Sequence, residues 1–172
     1  MSDKILWKNQ WVEICLKDEW YTYSRNRDGV FVLGYRVVEG AYEYLVRLEH
    51  NPCHSEGLIS TSLTGGIEKG STPTETAVRE LKEESGYEVS KHDLVNLGWV
   101  FPSKFSSDKT YMYAVDLTGL EAGVVEGDGT RGEEGAYCVW ASENDALWVS
   151  SPLLGCAMAR LKKVGEIDYG FK

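Results

Sequence analysis

Alternating and continuous apolar runs divide this chain into strand-length segments on either side of one strongly amphipathic helix. Val12 and Ile14 alternate with polar residues over positions 12–17, and an aromatic-rich stretch follows at 20–25. Joined at Asp18-Glu19, the two read as a β-hairpin. After the turn signal Asp28-Gly29, Val30, Phe31, Val32 and Leu33 with Tyr35 form the next strand, and Glu39-Gly40 turns the chain into another over 42–48. A continuous apolar run such as Val30 to Leu33 suits a strand covered on both faces, so helices are expected to flank the sheet. Residues 94–101, 111–117 and 136–141 read as later strands. A closing helix over 152–163 carries Leu154, Met158 and Leu161 on one stripe that can dock on the sheet.

The central helix has explicit boundaries. Thr72, Pro73 and Glu75 supply an N-cap, a proline at the first helical position and the reciprocal glutamate of a capping box. Gly86 can take the left-handed conformation that ends a helix without steric cost. At about 100° per residue, Thr74, Ala77, Val78 and Leu81 share the packing face. Glu80 and Glu84 border that face, with Glu83 further round. Glu80 and Glu84 are one turn apart and repel by a few tenths of a kcal/mol, a repulsion that a divalent cation removes. Hard cations such as Mg²⁺ take oxygen ligands and arrive with substrate phosphates, so a carboxylate row suits phosphate-ester chemistry. A solvated acidic face is the plain alternative for any glutamate-rich helix.

The helix and its preceding loop decide between these. Gly65, Arg79, Glu80, Leu81, Glu83, Glu84 and Gly86 stand in register with G-x5-E-x7-R-E-U-x-E-E-x-G-U, where U is bulky and aliphatic. The segment therefore resembles the Nudix box. Seven fixed positions at about 1 in 15 each agree by chance on the order of 10⁻⁸ of the time in one register. Two positions depart: Ser71 stands where the box has its first glutamate, and Tyr87 where it has an aliphatic residue. Ser71 brings no charge, although it can hydrogen-bond water, and Glu68 and Glu75 are the nearby carboxylates.

The resemblance implies an α/β fold, a Nudix-type α/β/α sandwich with a mixed β-sheet flanked by helices. At 172 residues the chain fits a single domain over residues 1–172, with residues 1–28 an N-terminal hairpin extension. By position, Glu80 and Glu84 would be the principal metal ligands, with Glu83 beside them and the backbone carbonyl of Thr64 as a further ligand. Mg²⁺ is the implied ion, with Mn²⁺ able to substitute. Arg79 would orient the carboxylates. Glu134, with Glu133 as the alternate, falls before a late strand where the family places a base or an additional ligand.

Beyond the box the chain is similar to the ADP-ribose pyrophosphatase branch, which carries a proline about fifteen residues further on. Pro102 lies fifteen positions after Tyr87, within Phe101-Pro102-Ser103 rather than that branch's serine-proline-glycine. A proline ending an edge strand accounts for Pro102 equally well. The run Ser106-Ser107-Asp108-Lys109 and a strand ending in Asp116-Leu117-Thr118 add to the likeness. For ADP-ribose the implied products are AMP and ribose 5-phosphate. A nucleoside end needs flat apolar surfaces for stacking, for which Trp20, Tyr21 and Tyr23 are candidates.

Composition narrows the partners. A formal charge of −9 disfavours loose binding to a phosphate backbone, so a small-molecule nucleotide is expected rather than a stable nucleic-acid partner. Nothing near the N-terminus reads as an apolar signal core, and no apolar run is long enough to span a bilayer, so a cytoplasmic protein without membrane contact is expected. Cys15, Cys53, Cys138 and Cys156 are scattered as expected of reduced thiols. His50, Cys53 and His54 cluster, but without the regular spacing of a zinc site. Residues 119–135, with six glycines and five carboxylates, read as a long loop. The N-terminal strands would suit a homodimer contact. A nucleotide sensor that binds without cleaving is the competing reading, and Ser71 is its main support.

Overall fold

A computed structural model describes residues 4–51, 57–125, 135–149 and 151–164. The first unit is a three-stranded antiparallel sheet of β1 (Lys4–Lys8), β2 (Glu13–Lys17) and β3 (Trp20–Ser24), in that order. Asp18 and Glu19, both at positive φ, close β2 on β3 as the predicted hairpin. Two positive φ values are what a tight turn needs to match the strands' twist. β1 was not legible because each of its residues is exposed, which leaves no alternation to read.

A seven-stranded mixed sheet follows. β4 (Gly29–Val38) and β5 (Ala41–His50) form a hairpin across Glu39-Gly40, again with both turn residues at positive φ. The two long strands pair only near their turn, from Tyr35↔Tyr44 to Val38↔Ala41. Beyond it they part, and two short strands fill the fork. β6 (Leu58–Thr61) pairs with β5, and β7 (Leu63–Gly66) pairs with the start of β4. Four residues are too few to show periodicity, so neither was expected. α1 (Pro73–Ser85) follows, then β8 (Val95–Val100), β9 (Thr110–Asp116), β10 (Tyr137–Ser142), the short α2 (Glu143–Ala146) and α3 (Pro152–Val164). The path β10-β5-β4-β9-β8 is antiparallel except for the parallel pair β4 and β9.

Successive residues of β4 and β9 divide between two cores. Val30, Val32, Tyr113 and Val115 pack with Ala77 and Leu81 of α1. Phe31, Leu33, Met112 and Ala114 pack with Ala146, Leu154, Ala157 and Met158 of α2 and α3. The continuous apolar run is thus covered on both faces, and the fold is an α/β/α sandwich. Among the described residues no helix is long and apolar enough to cross a membrane.

α1 has the predicted boundaries and caps. Thr72 Oγ1 accepts from the Glu75 N–H at 3.2 Å, and the Glu75 carboxylate accepts from the Thr72 N–H at 2.9 Å. Gly86 at φ 76° donates its N–H to Lys82 O at 2.8 Å. The packing face differs from the expected one: Thr76, Ala77, Leu81, Glu84 and Ser85 are buried, whereas Thr74 and Val78 are half-buried. Glu84 therefore does not border the face but lies within it. Tyr87, the departure from the aliphatic box position, is buried edge-on against Trp140 at 6.1 Å between ring centroids and fills the apolar role.

Candidate active site

Strand alternation places Leu45 and Arg47 of β5 and Leu63 and Gly65 of β7 on the face beneath α1. Arg47 thereby reaches Glu84, its Nη1 lying 2.8 Å from Glu84 Oε1 while its Nε lies 3.1 Å from Glu49. Glu84 Oε2 accepts the Thr64 N–H at 3.1 Å. Only 8% exposed, Glu84 has its pKa raised from 4.5 to about 8. Burial is the largest cause, opposed by Arg47 and by the Thr64 N–H and assisted by the charge of Glu80. Arg79 takes the other two carboxylates, Nη2 to Glu80 at 2.6 Å and Nη1 to Glu83 at 2.5 Å.

Each of the three predicted ligands is therefore held by an arginine. Among the described residues no three acidic, histidine or cysteine side chains converge into a ligand cluster. Two of the three turn to Arg79 on their own helix and one is drawn inward by Arg47. The donors still suit a hard divalent cation, being carboxylate oxygens, with Glu80 close enough to perturb Glu84. Gly65 makes room for them, because a Cβ there would stand 1.9 Å from Glu80 Cδ.

The next glycine opens the opposite face. A Cβ on Gly66 would meet Arg27 Nε at 2.3 Å, so the guanidinium lies across the strand where a side chain would stand. Beyond it is a cleft of about 150 Å³ lined by Tyr23, Arg25, Arg27, Lys109 and Pro102, among others. Its walls are tied by short bonds. Asp108 accepts from Ser24 Oγ at 2.5 Å and from the Arg25 N–H. Asp28 accepts the Lys109 N–H at 2.8 Å, and Tyr23 donates its N–H to Phe105 O at 2.8 Å. Among the described residues Arg25 and Arg27 make no salt bridge. A larger, more open basin of about 680 Å³ lies at the other end of β9, lined by Glu88, Asp93 and Asp116, and has no basic lining residue.

Of the residues expected to touch substrate, Pro102 lines the cleft and Trp20 and Tyr21 do not. Trp20 packs on Phe105, and Tyr21 is exposed on β3; Tyr23, two residues further along that strand, is the aromatic that enters. Thr64 meets Glu84 through its N–H. Glu133, Glu134, Cys53 and His54 lie outside the described residues. Sequence reasoning passed over Arg47, Arg27, Arg25 and Lys109. For Arg47 a signal existed, a lone cation between Val46 and Leu48 in an apolar strand. The other three required the register of β3, β4 and β9.

The NUDIX domain model matches residues 27–157. No curated protein sequence matches the chain. Among solved structures, an ADP compounds hydrolase superposes with a TM-score of 0.64 at 17% identity, over 95% of this chain and 91% of that one. A binary complex of the C. elegans Ap4A hydrolase gives 0.58 at 16% identity, over 80% of this chain and 96% of that one. At these identities the superpositions speak to the fold.

Proposed function

We propose, for a chain that belongs to the Nudix family, that it hydrolyses the diphosphate bond of a nucleoside diphosphate linked to a further group. It is a pyrophosphohydrolase of that family, and Nudix enzymes use divalent metal ions. The observation that carries the substrate reading is the pair Gly65-Gly66, which lets Glu80 lie against one face of β7 and Arg27 against the other. Carboxylates for cations and cations for phosphates thus stand one strand apart.

Glu80, Glu83 and Glu84, with the carbonyl of Thr64, are the residues that would hold Mg²⁺. Such ions, when bound, lower the pKa of the attacking water and neutralise diphosphate charge. Arg79 positions Glu80 and Glu83 through its two ion pairs. Arg47 does the same for Glu84 from inside the sheet. Arg25, Arg27 and Lys109 offer charge to the diphosphate, and Pro102 gives the cleft a stiff wall. ADP-ribose, the substrate implied by the sequence resemblance, and the names of the superposing hydrolases share this nucleoside-phosphate core.

A second reading, binding without cleavage, draws support from Ser71. Glu75, one of the two carboxylates near it, is committed to the helix cap and does not replace the missing charge. Product analysis with Mg²⁺ across ADP-ribose, a dinucleoside polyphosphate, NADH, FAD and capped RNA separates the two. Nucleoside monophosphate release from at least one is expected, whereas binding with no product from any of them selects the sensor. The exposed Ile5 and Trp7 of β1 and the nearby Trp11 support a contact between two copies, which sedimentation reads directly.

A further inference from the structure

Two exposed aromatic pairs lie on chain segments that adjoin the cleft's lining residues, and they belong to neither core. Trp20 and Phe105, 57% and 40% exposed, stand 6.3 Å apart, with Lys104 Nζ 5.4 Å over the first ring and 4.9 Å over the second. Trp99 and Phe101, 45% and 51% exposed, meet edge-on at 5.2 Å, and Lys109 Nζ lies 4.6 Å over Trp99. Each pair is fastened to a cleft wall. Lys109 itself lines the cleft, Phe101 precedes Pro102, and Phe105 accepts the N–H of Tyr23.

The exposure of Trp99 has a specific cause. Leu97 is buried, and two-residue spacing along β8 would turn Trp99 toward the same core. Gly98, at φ 82°, sits in a register shift between Asn96 and Trp99, so the alternation slips and Val100 packs against that core instead. Bulges of this kind re-aim side chains beside functional sites. Basic side chains gather here too: Arg25, Arg27, Lys104 and Lys109, in a chain of net charge −9. Flat aromatic faces beside a row of cations suit bases joined by phosphates.

We propose that the two pairs are stacking platforms for the two planar ends of a dinucleotide, with its phosphates in the cleft between them. This rests on the diphosphatase reading above and specifies the further group as a second nucleobase or comparable ring. A long nucleic acid is disfavoured by the acidity of the rest of the chain.

Trp20→Ala and Trp99→Ala, both at exposed positions, test it, with Trp99→Leu keeping apolar bulk without a π face. Steady-state kcat/KM is measured with Mg²⁺ on a dinucleoside polyphosphate and on ADP-ribose. Tryptophan fluorescence titration in chelator reads binding without turnover. Loss of one stacked base is expected to cost between about fivefold and a hundredfold. The dinucleotide should respond to both alanine variants and to Trp99→Leu, and ADP-ribose, with one planar end, to only one of the two platforms. Equal responses of the two compounds to every variant, or no response of the dinucleotide to either alanine, overturn the proposal while leaving the diphosphatase reading standing. A preference for capped RNA that grows with its length also overturns it. No turnover of either compound by the wild type, with binding retained, sinks the diphosphatase reading instead.

Discussion

Replacing Glu84 with glutamine tests whether the site holds its charge at the expense of the fold. Glu84 is buried in α1, touched by Arg47 at 2.8 Å and by the Thr64 N–H at 3.1 Å, yet burial outweighs both and lifts its pKa from 4.5 to about 8. A folded-state pKa above the unfolded value means that the native protein binds the proton more tightly. The associated stability is complete below about pH 4.5 and is lost as pH rises toward 8. Within that window the wild type should lose about 1.4 kcal/mol per pH unit through this group alone. Glutamine has the shape of the protonated acid and no proton to lose. In chelator the variant should therefore gain about 3 kcal/mol on the wild type between pH 4.5 and pH 7, on top of a constant offset from its amide nitrogen, which cannot accept the second of the two bonds.

Urea unfolding of the two proteins at several pH values between 5 and 9 measures this difference, and taking the difference cancels the titrating groups that do not couple to Glu84. On the proposed reading Mg²⁺ would bind the ionised carboxylate, so adding it should narrow the gap by stabilising the wild type. Turnover should fall by orders of magnitude in the same variant, which gains on the wild type in stability as pH rises. If the two unfolding curves run parallel across the pH range, or if the wild type gains on the variant as pH rises, Arg47 outweighs burial and the reasoning fails.

Gly65→Ala must displace Glu80, whose Cδ lies 1.9 Å from the added methyl, and should cost about a hundredfold in turnover with the circular dichroism spectrum unchanged. Gly86→Ala combines φ 76° with a Cβ 2.5 Å from Gly123 O, and should lower stability by about 1–3 kcal/mol in denaturant titration. Ser71→Glu restores the box carboxylate at an exposed position and should preserve or raise turnover at limiting Mg²⁺; a loss of activity there would show that the serine has its own role.

The elements that could be read from sequence were those with local chemistry. α1 was bounded by its capping box and its glycine, and the hairpin turns at Asp18-Glu19 and Glu39-Gly40 by their polar residues. The double-sided burial of Val30 to Leu33 followed from an unbroken apolar run. What escaped was set by register. β6 and β7 exist because β4 and β5 separate, a fact of pairing that no local pattern records. Arg47 and Arg27 enter the site only once β5 and β7 are aligned, one beneath α1 and the other across Gly66. The aromatic residues were recognised as a stacking resource, but the fold alone shows that Tyr23 lines the cleft while Trp20 packs on Phe105.

β7 is the thinnest part of the site and the part on which its charge arrangement turns. Had Gly65 and Gly66 carried side chains, Glu80 and Arg27 would each be pushed away from the strand, by contacts of 1.9 and 2.3 Å respectively. Glycine at both positions instead brings a carboxylate and a guanidinium to opposite faces of one backbone. On the proposed reading a phosphate at this strand would face cations of both kinds, metal ions that α1 would hold and the arginines of the loop leading into β4. Arg79 and Arg47 then serve a complementary purpose, since each occupies carboxylates that would otherwise repel one another across the same helix. An alanine at Gly66 alone should accordingly weaken substrate binding and leave metal affinity intact, whereas one at Gly65 should do the reverse, and isothermal titration with Mn²⁺ and with ADP-ribose distinguishes the two faces.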